Sequence, residues 1–310
     1  CSVFSAVGAA MMLTSCYQLM LRRKAMAACR RVATSVRLES TRAGWSAVQE
    51  GLVNHEATGV PAGAGKGGSE GFDLGRMHRL LARLDDPHKH FPVVQVVGTK
   101  GKGSTTSLLA NILRASGYKV GTYTSPHVLH ESERISCGTQ LSHISPEQLE
   151  QVKDAHMPAV VEAQAQEGGA LSYFEVMTAL AFKHFQQQQV DIAVVEAGLG
   201  GERDATNVFT SSSQLMSVIT AIGMDHKAAL GDTVAEIAEV KAGIMQPGSP
   251  VVLARQPQGE AAAAVAATAL KKGCEILNAE PDVTVLSRGM VDPSGGQIAE
   301  LVDIHVAGSD

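Results

Sequence analysis

From about residue 72 the chain alternates short apolar runs with longer stretches of helical periodicity. Val93–Val97 reads as a buried strand. Residues 102–116 read as a helix, with Leu108, Leu109, Ile112 and Leu113 along one face and Gly117 as its stop. Residues 120–124 give the next strand, and Pro146–Gln166 and residues 173–187 give two helices. Ile192–Glu196 is a strand that ends in an acid, and residues 216–222 are a strand that runs into a polar loop. Residues 233–245 form a helix with Asp232 as its cap, followed by a strand over 251–254. An alanine-rich helix over Gly259–Lys272 and a strand-like run over 298–306 close the pattern. This alternation predicts an α/β fold, a mostly parallel sheet flanked by crossover helices, with no internal repeat. Such sheets bind ligands where strands end and loops begin.

Composition narrows the class. The chain has 310 residues, 45% hydrophobic and 18% charged, enough apolar material for a sizeable core and too much for wholesale disorder. A net charge of −5 argues against a protein built to grip nucleic acid. The five cysteines form no C-x-x-C pair, so neither a disulfide scaffold nor a structural zinc site is expected. Residues 1–38 hold no Asp or Glu but carry Arg22, Arg23, Lys24, Arg30, Arg31 and Arg37 among many Ser, Ala and Thr. We read residues 1–45 as a transit-peptide-like segment, and composition leaves mitochondrion and plastid both open. The uncharged stretch over 1–21 is diluted by Ser, Thr and Gln, which disfavours a membrane span. Residues 46–71 are Gly/Ala-rich and read as a low-complexity linker, and the phosphate-loop look-alike Gly63-Ala64-Gly65-Lys66-Gly67-Gly68 lacks a preceding strand. Residues 72–310 remain as the folded part, and the strand-like run near Asp310 with no closing helix reads as a cut through a fold.

The segment Gly98-Thr99-Lys100-Gly101-Lys102-Gly103-Ser104 follows an apolar strand and opens a helix. Glycines allow backbone N–H groups to curl around phosphate oxygens, the helix N-terminus adds a positive end, and Lys102 supplies a point charge. Val96 stands where the usual first glycine would be, and the hydroxyl comes one residue late, at Ser104. The competing reading is a glycine-rich turn with no nucleotide. Three further strand ends carry polar groups. Ser125 precedes Pro126 after the second strand, Glu196 ends the strand before Gly198-Leu199-Gly200-Gly201, and His226 follows Gly223-Met224-Asp225. Each alone fits a turn, a solvated acid or a structural histidine; together on one sheet edge they fit a metal site. Lys241, in the apolar segment Val240–Ile244, is either a snorkelling surface lysine or a buried amine with a lowered pKa.

Taken in order, VVGTKGKGSTTSLLANILRASGYKVGTYTSPH, ESERI, SYFEVMTALAF, DIAVVEAGLGGERDATNV, ITAIGMDH and EVKAGIM resemble the ATPase domain of the folate branch of the Mur ligase family, over roughly residues 72–255. That branch comprises dihydrofolate synthases and folylpolyglutamate synthases. The resemblance implies a P-loop NTPase-like central domain, here cut before a C-terminal Rossmann-like domain that normally carries an Asp-Gly-Ala-His-like motif, so that the chain taken literally is expected to be nearly incompetent alone. It implies that Gly98, Thr99, Lys100, Gly101, Lys102, Gly103 and Ser104 hold ATP. Ser125 and Glu196 would bind one Mg²⁺ and His226 would help bind a second. Lys102, His226 and Lys241 would act in catalysis, with Lys241 carbamylated by CO₂, and Phe174, Asp204 and Ala205 would lie near the pterin.

The implied reaction is ATP-driven amide formation between L-glutamate and 7,8-dihydropteroate, or a folate in the alternative, through an acyl phosphate. The implied partners are these small molecules, with no nucleic acid, no membrane span and a monomeric state. Four positions depart from the family pattern: Glu202 and Arg203, where GGERDATN stands for the common GGRLDATN, Lys100 for a frequent Asn, and Lys227 for a frequent Thr. Lys100 and Glu202–Arg203 lean towards dihydrofolate synthases. Other readings are a cell-wall Mur ligase, disfavoured by the transit-like start and the DATN loop, and a generic P-loop GTPase or kinase, disfavoured by the shortened loop. A nucleotide-binding fragment without catalysis is a further alternative.

Overall fold

A computed structural model describes residues 42–65, 72–279, 283–291 and 299–306, the last two spans as backbone strands. The arginine-rich start through residue 41 and the glycine-rich residues 66–71 lie outside the described residues. The elements run α1 (Arg42–Glu50), α2 (His55–Thr58), α3 (Leu74–Arg83), β1 (Val93–Val97), α4 (Lys102–Ala115), β2 (Val120–Tyr123), β3 (Ile135–Gly138), β4 (Ser142–His143), α5 (Pro146–Gln166) and α6 (Tyr173–Gln188). They continue with β5 (Ile192–Glu196), β6 (Gln214–Ile219), α7 (Lys227–Leu230), α8 (Val234–Ala242), β7 (Val251–Leu253), α9 (Gly259–Lys272), β8 (Ile276–Asn278), β9 (Val283–Val291) and β10 (Ala299–Val306).

Eight strands form one sheet in the order β4-β3-β2-β5-β1-β6-β7-β8. All pairs from β2 to β8 are parallel, and β3 and β4 add an antiparallel edge. β9 and β10 form a separate antiparallel pair. The central strands are buried and mostly apolar on both faces because helices cover both. Alternation along β1 divides its residues: Val94 and Val96 pack with Leu109 and Leu113 of α4, whereas Val93 and Val97 face the opposite side. That opposite side carries two separate clusters. One gathers Val93, Ala193 and Val195 with α5 and α6, and the other gathers Val97, Ile219 and Val251 with α8 and α9.

Local chemistry sets the helix starts. Ser145 with Gln148 and Ser172 with Glu175 form reciprocal capping boxes, and Pro146 opens α5. The cap of α8 differs from the expectation: Thr233 accepts from the Glu236 amide, while the Asp232 N–H is itself taken by the Glu236 carboxylate. The expected linker over 46–71 also differs where it is described. Leu52 is buried in the α5–α6 cluster, Val53 bridges to Ser172, and Ala64 is buried; Trp45, the last residue of the expected transit-like segment, is buried in the same α5–α6 cluster. The glycine and alanine content hid two short helices: α1 is held by the burial of Trp45, and α2, which buries no residue, by the Asn54 cap and the Glu56–Arg134 pair. The edge strands β3, β4 and β8 were not expected, being too short to show a period.

Candidate active site

β1 delivers the chain into the turn Gly98–Gly103 beneath the loop that follows β6. A Cβ on Gly98 would lie 1.9 Å from Thr220 Oγ1, so only glycine fits where the turn leaves the strand. The turn is tied to its neighbour: Thr99 Oγ1 donates to the Gly223 carbonyl and accepts from the Gly223 N–H, both at 3.1 Å, and the Thr99 and Lys100 amides reach the Ala221 carbonyl. Gly101 sits at φ 88° as the N-cap of α4, and no side chain caps that helix. A left-handed residue without a side chain leaves the first-turn amides facing outward, the arrangement that receives an anion. Lys102 is the first residue of α4; Lys100 and Ser104 are exposed.

Glu196 ends β5 on the α4 side of the sheet, paired in register with Val96. Its Oε1 lies 3.9 Å from Lys102 Nζ, and its Oε2 accepts the Ser125 N–H at 3.3 Å. A Cβ on Gly103 would come within 3.3 Å of the carboxylate, so glycine lets the helix start approach it. Burial pushes the Glu196 carboxyl up to about 7, against the opposing pull of Lys102. This carboxylate has less positive charge around it than its burial demands. Glu196, Ser125 and the imidazole of His226 form the candidate donor set. Among the described residues no three His, Cys, Asp or Glu side chains converge on one point. One carboxylate with a hydroxyl nearby suits Mg²⁺, which keeps water and phosphate oxygens as its other ligands. The residues present therefore fit such an ion.

Lys241 is buried on α8, not snorkelling. Its Nζ donates to the Gly98 carbonyl at 3.0 Å, and burial, helped by the nearby Lys102 charge, lowers its pKa to about 8. Gly201 makes room for it: a Cβ there would meet the Val240 and Lys241 carbonyl oxygens at 2.6 Å.

Beside the turn opens a cavity of about 510 Å³. Lys102, Ser125 and His226 line one side, and Phe174, Leu199, Asp204 and Ala205 line another. Phe174 lies under Gly198, where a Cβ would sit 2.4 Å from the ring. Asp204 is buried, and its carboxylate is spent on the loop itself: Oδ2 accepts the Leu199 N–H at 2.7 Å, and Oδ1 accepts the Thr206 N–H at 2.9 Å and hydroxyl at 2.5 Å. It shapes the wall rather than offering a free oxygen. The structure thus brings Lys102, Ser125, His226, Phe174, Asp204 and Ala205 to one cavity, with Glu196 behind Lys102 and Lys241 behind the turn.

Sequence reasoning missed the opposite wall, formed by Asn54, His55, Glu56, Phe72 and Asp73. Glu56 is clamped by the buried Arg134 guanidinium, which also donates through Nε to His127 Nδ1 at 2.8 Å. The available signal was Asn54, an N-cap residue whose side chain accepts from the Glu56 and Ala57 amides. It lay inside the stretch assigned to the linker.

No family model matches the chain. A dihydrofolate synthase/folylpolyglutamate synthase of Bacillus subtilis is 43% identical over 187 residues, 60% of this chain and 42% of that protein. A dihydrofolate synthetase of Saccharomyces cerevisiae is 32% identical over 242 residues, 76% of this chain and 53% of that protein. Among solved structures, a folylpolyglutamate synthase in complex with AMPPCP and folate superposes with a TM-score of 0.66 at 34% identity, covering 81% of this chain and 59% of its own. The chain spans about half the length of the curated relatives it matches.

Proposed function

The chain belongs to the folate branch of the Mur ligase family, and from that premise we propose that it serves ATP-dependent ligation of L-glutamate to 7,8-dihydropteroate, with a folate as the alternative acceptor. The observation that carries this reading is the shared edge: a phosphate-type turn ending in Lys102, 3.9 Å from a strand-tip carboxylate, opens into an apolar cavity walled by Phe174. The acceptor's aromatic body lies against Phe174, Leu199 and Ala205, and its carboxylate points to Lys102. That carboxylate attacks the γ-phosphorus of ATP; the bond to the bridging oxygen breaks, giving an acyl phosphate and ADP. The glutamate amine then adds to the acyl carbon, and inorganic phosphate leaves as the amine proton is released.

In this reading the turn amides and Lys102 take up charge on the transferring phosphoryl group, where most catalysis of such reactions resides. Glu196 and Ser125, aided by His226, hold divalent metal, which neutralises phosphate charge when bound. Two features support a carbamate on Lys241, namely its burial and its lowered pKa: the ammonium first loses one proton, CO₂ then adds to the neutral amine with loss of a second, and the net change is from a cation to an anion behind the turn. The arginine-rich start supports an organelle address, and analogy with this family favours the mitochondrion over plastid or cytosol.

The test is isotopic. Dihydropteroate labelled with ¹⁸O in its carboxylate is turned over with ATP and L-glutamate, and one ¹⁸O is expected in the released phosphate. Phosphate free of label in a productive turnover overturns the acyl-phosphate route. A parallel rate comparison with tetrahydrofolate decides the acceptor.

A further inference from the structure

Between the two apolar clusters on one face of the sheet lies a polar chain that the ligase chemistry does not use. Gln95, on central strand β1 between Val93 and Val97, is fully buried, as is Ser217 opposite it on β6. Buried amides at the centre of a sheet are costly unless every polar atom is bonded. Here each is. Ser217 Oγ donates to Gln214 Oε1 at 3.1 Å, and the Gln246 N–H donates to the same oxygen at 3.1 Å. Gln214 Nε2 donates to Gln95 Oε1 at 2.9 Å and to the Ile244 carbonyl at 3.1 Å. Gln95 Nε2 donates to Thr206 Oγ1 at 2.9 Å, and Thr206 donates to Asp204 Oδ1.

All donors along this path point one way, towards the Asp204 carboxylate, which also accepts the Leu199 amide of the cavity wall. A run of hydrogen bonds aligned on a buried anion is mutually polarising, so breaking one link weakens the others. The far end is anchored at Ile244 and Gln246, immediately after α8, the helix that holds Lys241 against Gly98. A parallel link from Gln246 Nε2 to Asn207 Oδ1 at 3.2 Å ties the same two segments.

We propose that Gln95, Gln214 and Thr206 are positioning residues that lock the cavity loop 199–207 in register with the end of α8. They set the shape of the acceptor cavity and the seat of Lys241 together, without touching either ligand. The ligation reading enters only in the choice of dihydropteroate as a probe; the coupling itself is read without it.

The test uses the full chain with Thr206→Val, Thr206→Ser and Gln214→Met, followed by amide hydrogen exchange and by titration with dihydropteroate and AMPPCP. Thr206→Val keeps the shape and removes the hydroxyl; Thr206→Ser restores it. In Thr206→Val, exchange at the remote Gln246 amide is expected to rise at least tenfold, with the central strand amides unchanged. Dihydropteroate affinity is expected to fall about tenfold, with AMPPCP affinity within twofold, and Thr206→Ser to recover both. Gln214→Met is expected to act in the reverse direction, raising exchange at Leu199. Exchange changes confined to the neighbours of the substituted residue overturn the proposal, as does a Thr206→Ser variant that behaves like Thr206→Val. If Gln214→Met does not fold, the Thr206 pair decides. Wild type that fails to bind dihydropteroate while the exchange coupling holds counts against the acceptor, not against the lock.

Discussion

The amine of Lys241 donates to the carbonyl of Gly98 at 3.0 Å, joining α8 to the first residue of the phosphate-type turn. Lys102 lies on the other side of that turn, and its charge helps hold the Lys241 pKa near 8. A lysine with a lowered folded-state pKa stabilises the fold fully only above its ordinary value near 10.5, and that contribution is lost as pH falls through about 8. The neutral amine that reacts with CO₂ is therefore the high-pH form.

With ¹³CO₂ at fixed pressure, a carbamate carbon signal is expected to grow as pH rises through about 8. It is expected to be absent from Lys241→Arg. In Lys102→Ala the removed repulsion raises the Lys241 pKa, so the midpoint moves up. A signal that persists in Lys241→Arg, or a midpoint indifferent to Lys102, removes this account of the lysine.

Glu196 has the opposite sense. Its carboxyl rises from an ordinary 4.5 to about 7 on folding, so its contribution is complete below about 4.5 and lost as pH rises through 7. Glu196→Gln is expected to melt higher than wild type at pH 8 without divalent cation, with the gap closing below pH 5. Such a trade of stability for charge placement is common at functional sites. A lower melting temperature for the variant at pH 8 contradicts it.

Much of this was legible in advance because the signals were local. Val93–Val97 and Ile192–Glu196 are apolar runs long enough to declare themselves, and the glycines of the turn stand in one window. The other cavity wall was not legible. Glu56 meets Arg134 across 78 positions of sequence, and a glycine-rich neighbourhood concealed the helices that bring it there. The family resemblance placed Asp204 near the pterin but said nothing of its bonds: only the fold turns both oxygens inward to Leu199 and Thr206. Gln95 gave no signal, since one amide in an apolar strand reads as noise until its partners are known.

His88 supplies a stability test away from the site. Its ring is buried against Phe209, and its Nδ1 has no hydrogen-bond partner among the described residues. Burial lowers its pKa from 6.5 to about 4, with Asp86 pulling it up and His78, Lys89 and His90 pushing it down. A depressed histidine stabilises the fold above its ordinary pKa and loses that contribution as pH falls through the folded value. Between pH 6.5 and 4, wild type is expected to lose on the order of 3 kcal/mol more than His88→Leu in denaturant titrations. Parallel curves for the two proteins contradict a buried neutral imidazole.

The account rests on a nucleotide phosphate seated at the Gly98–Ser104 turn with a divalent cation at Glu196. Calorimetric titration of AMPPCP, with and without Mg²⁺, into wild type, Lys102→Ala and Glu196→Gln tests this most directly. Lys102→Ala is expected to weaken binding at least tenfold in both conditions, and Glu196→Gln to abolish the gain from Mg²⁺ while leaving metal-free binding intact. Equal affinities in all three proteins, with the same response to Mg²⁺, would contradict it.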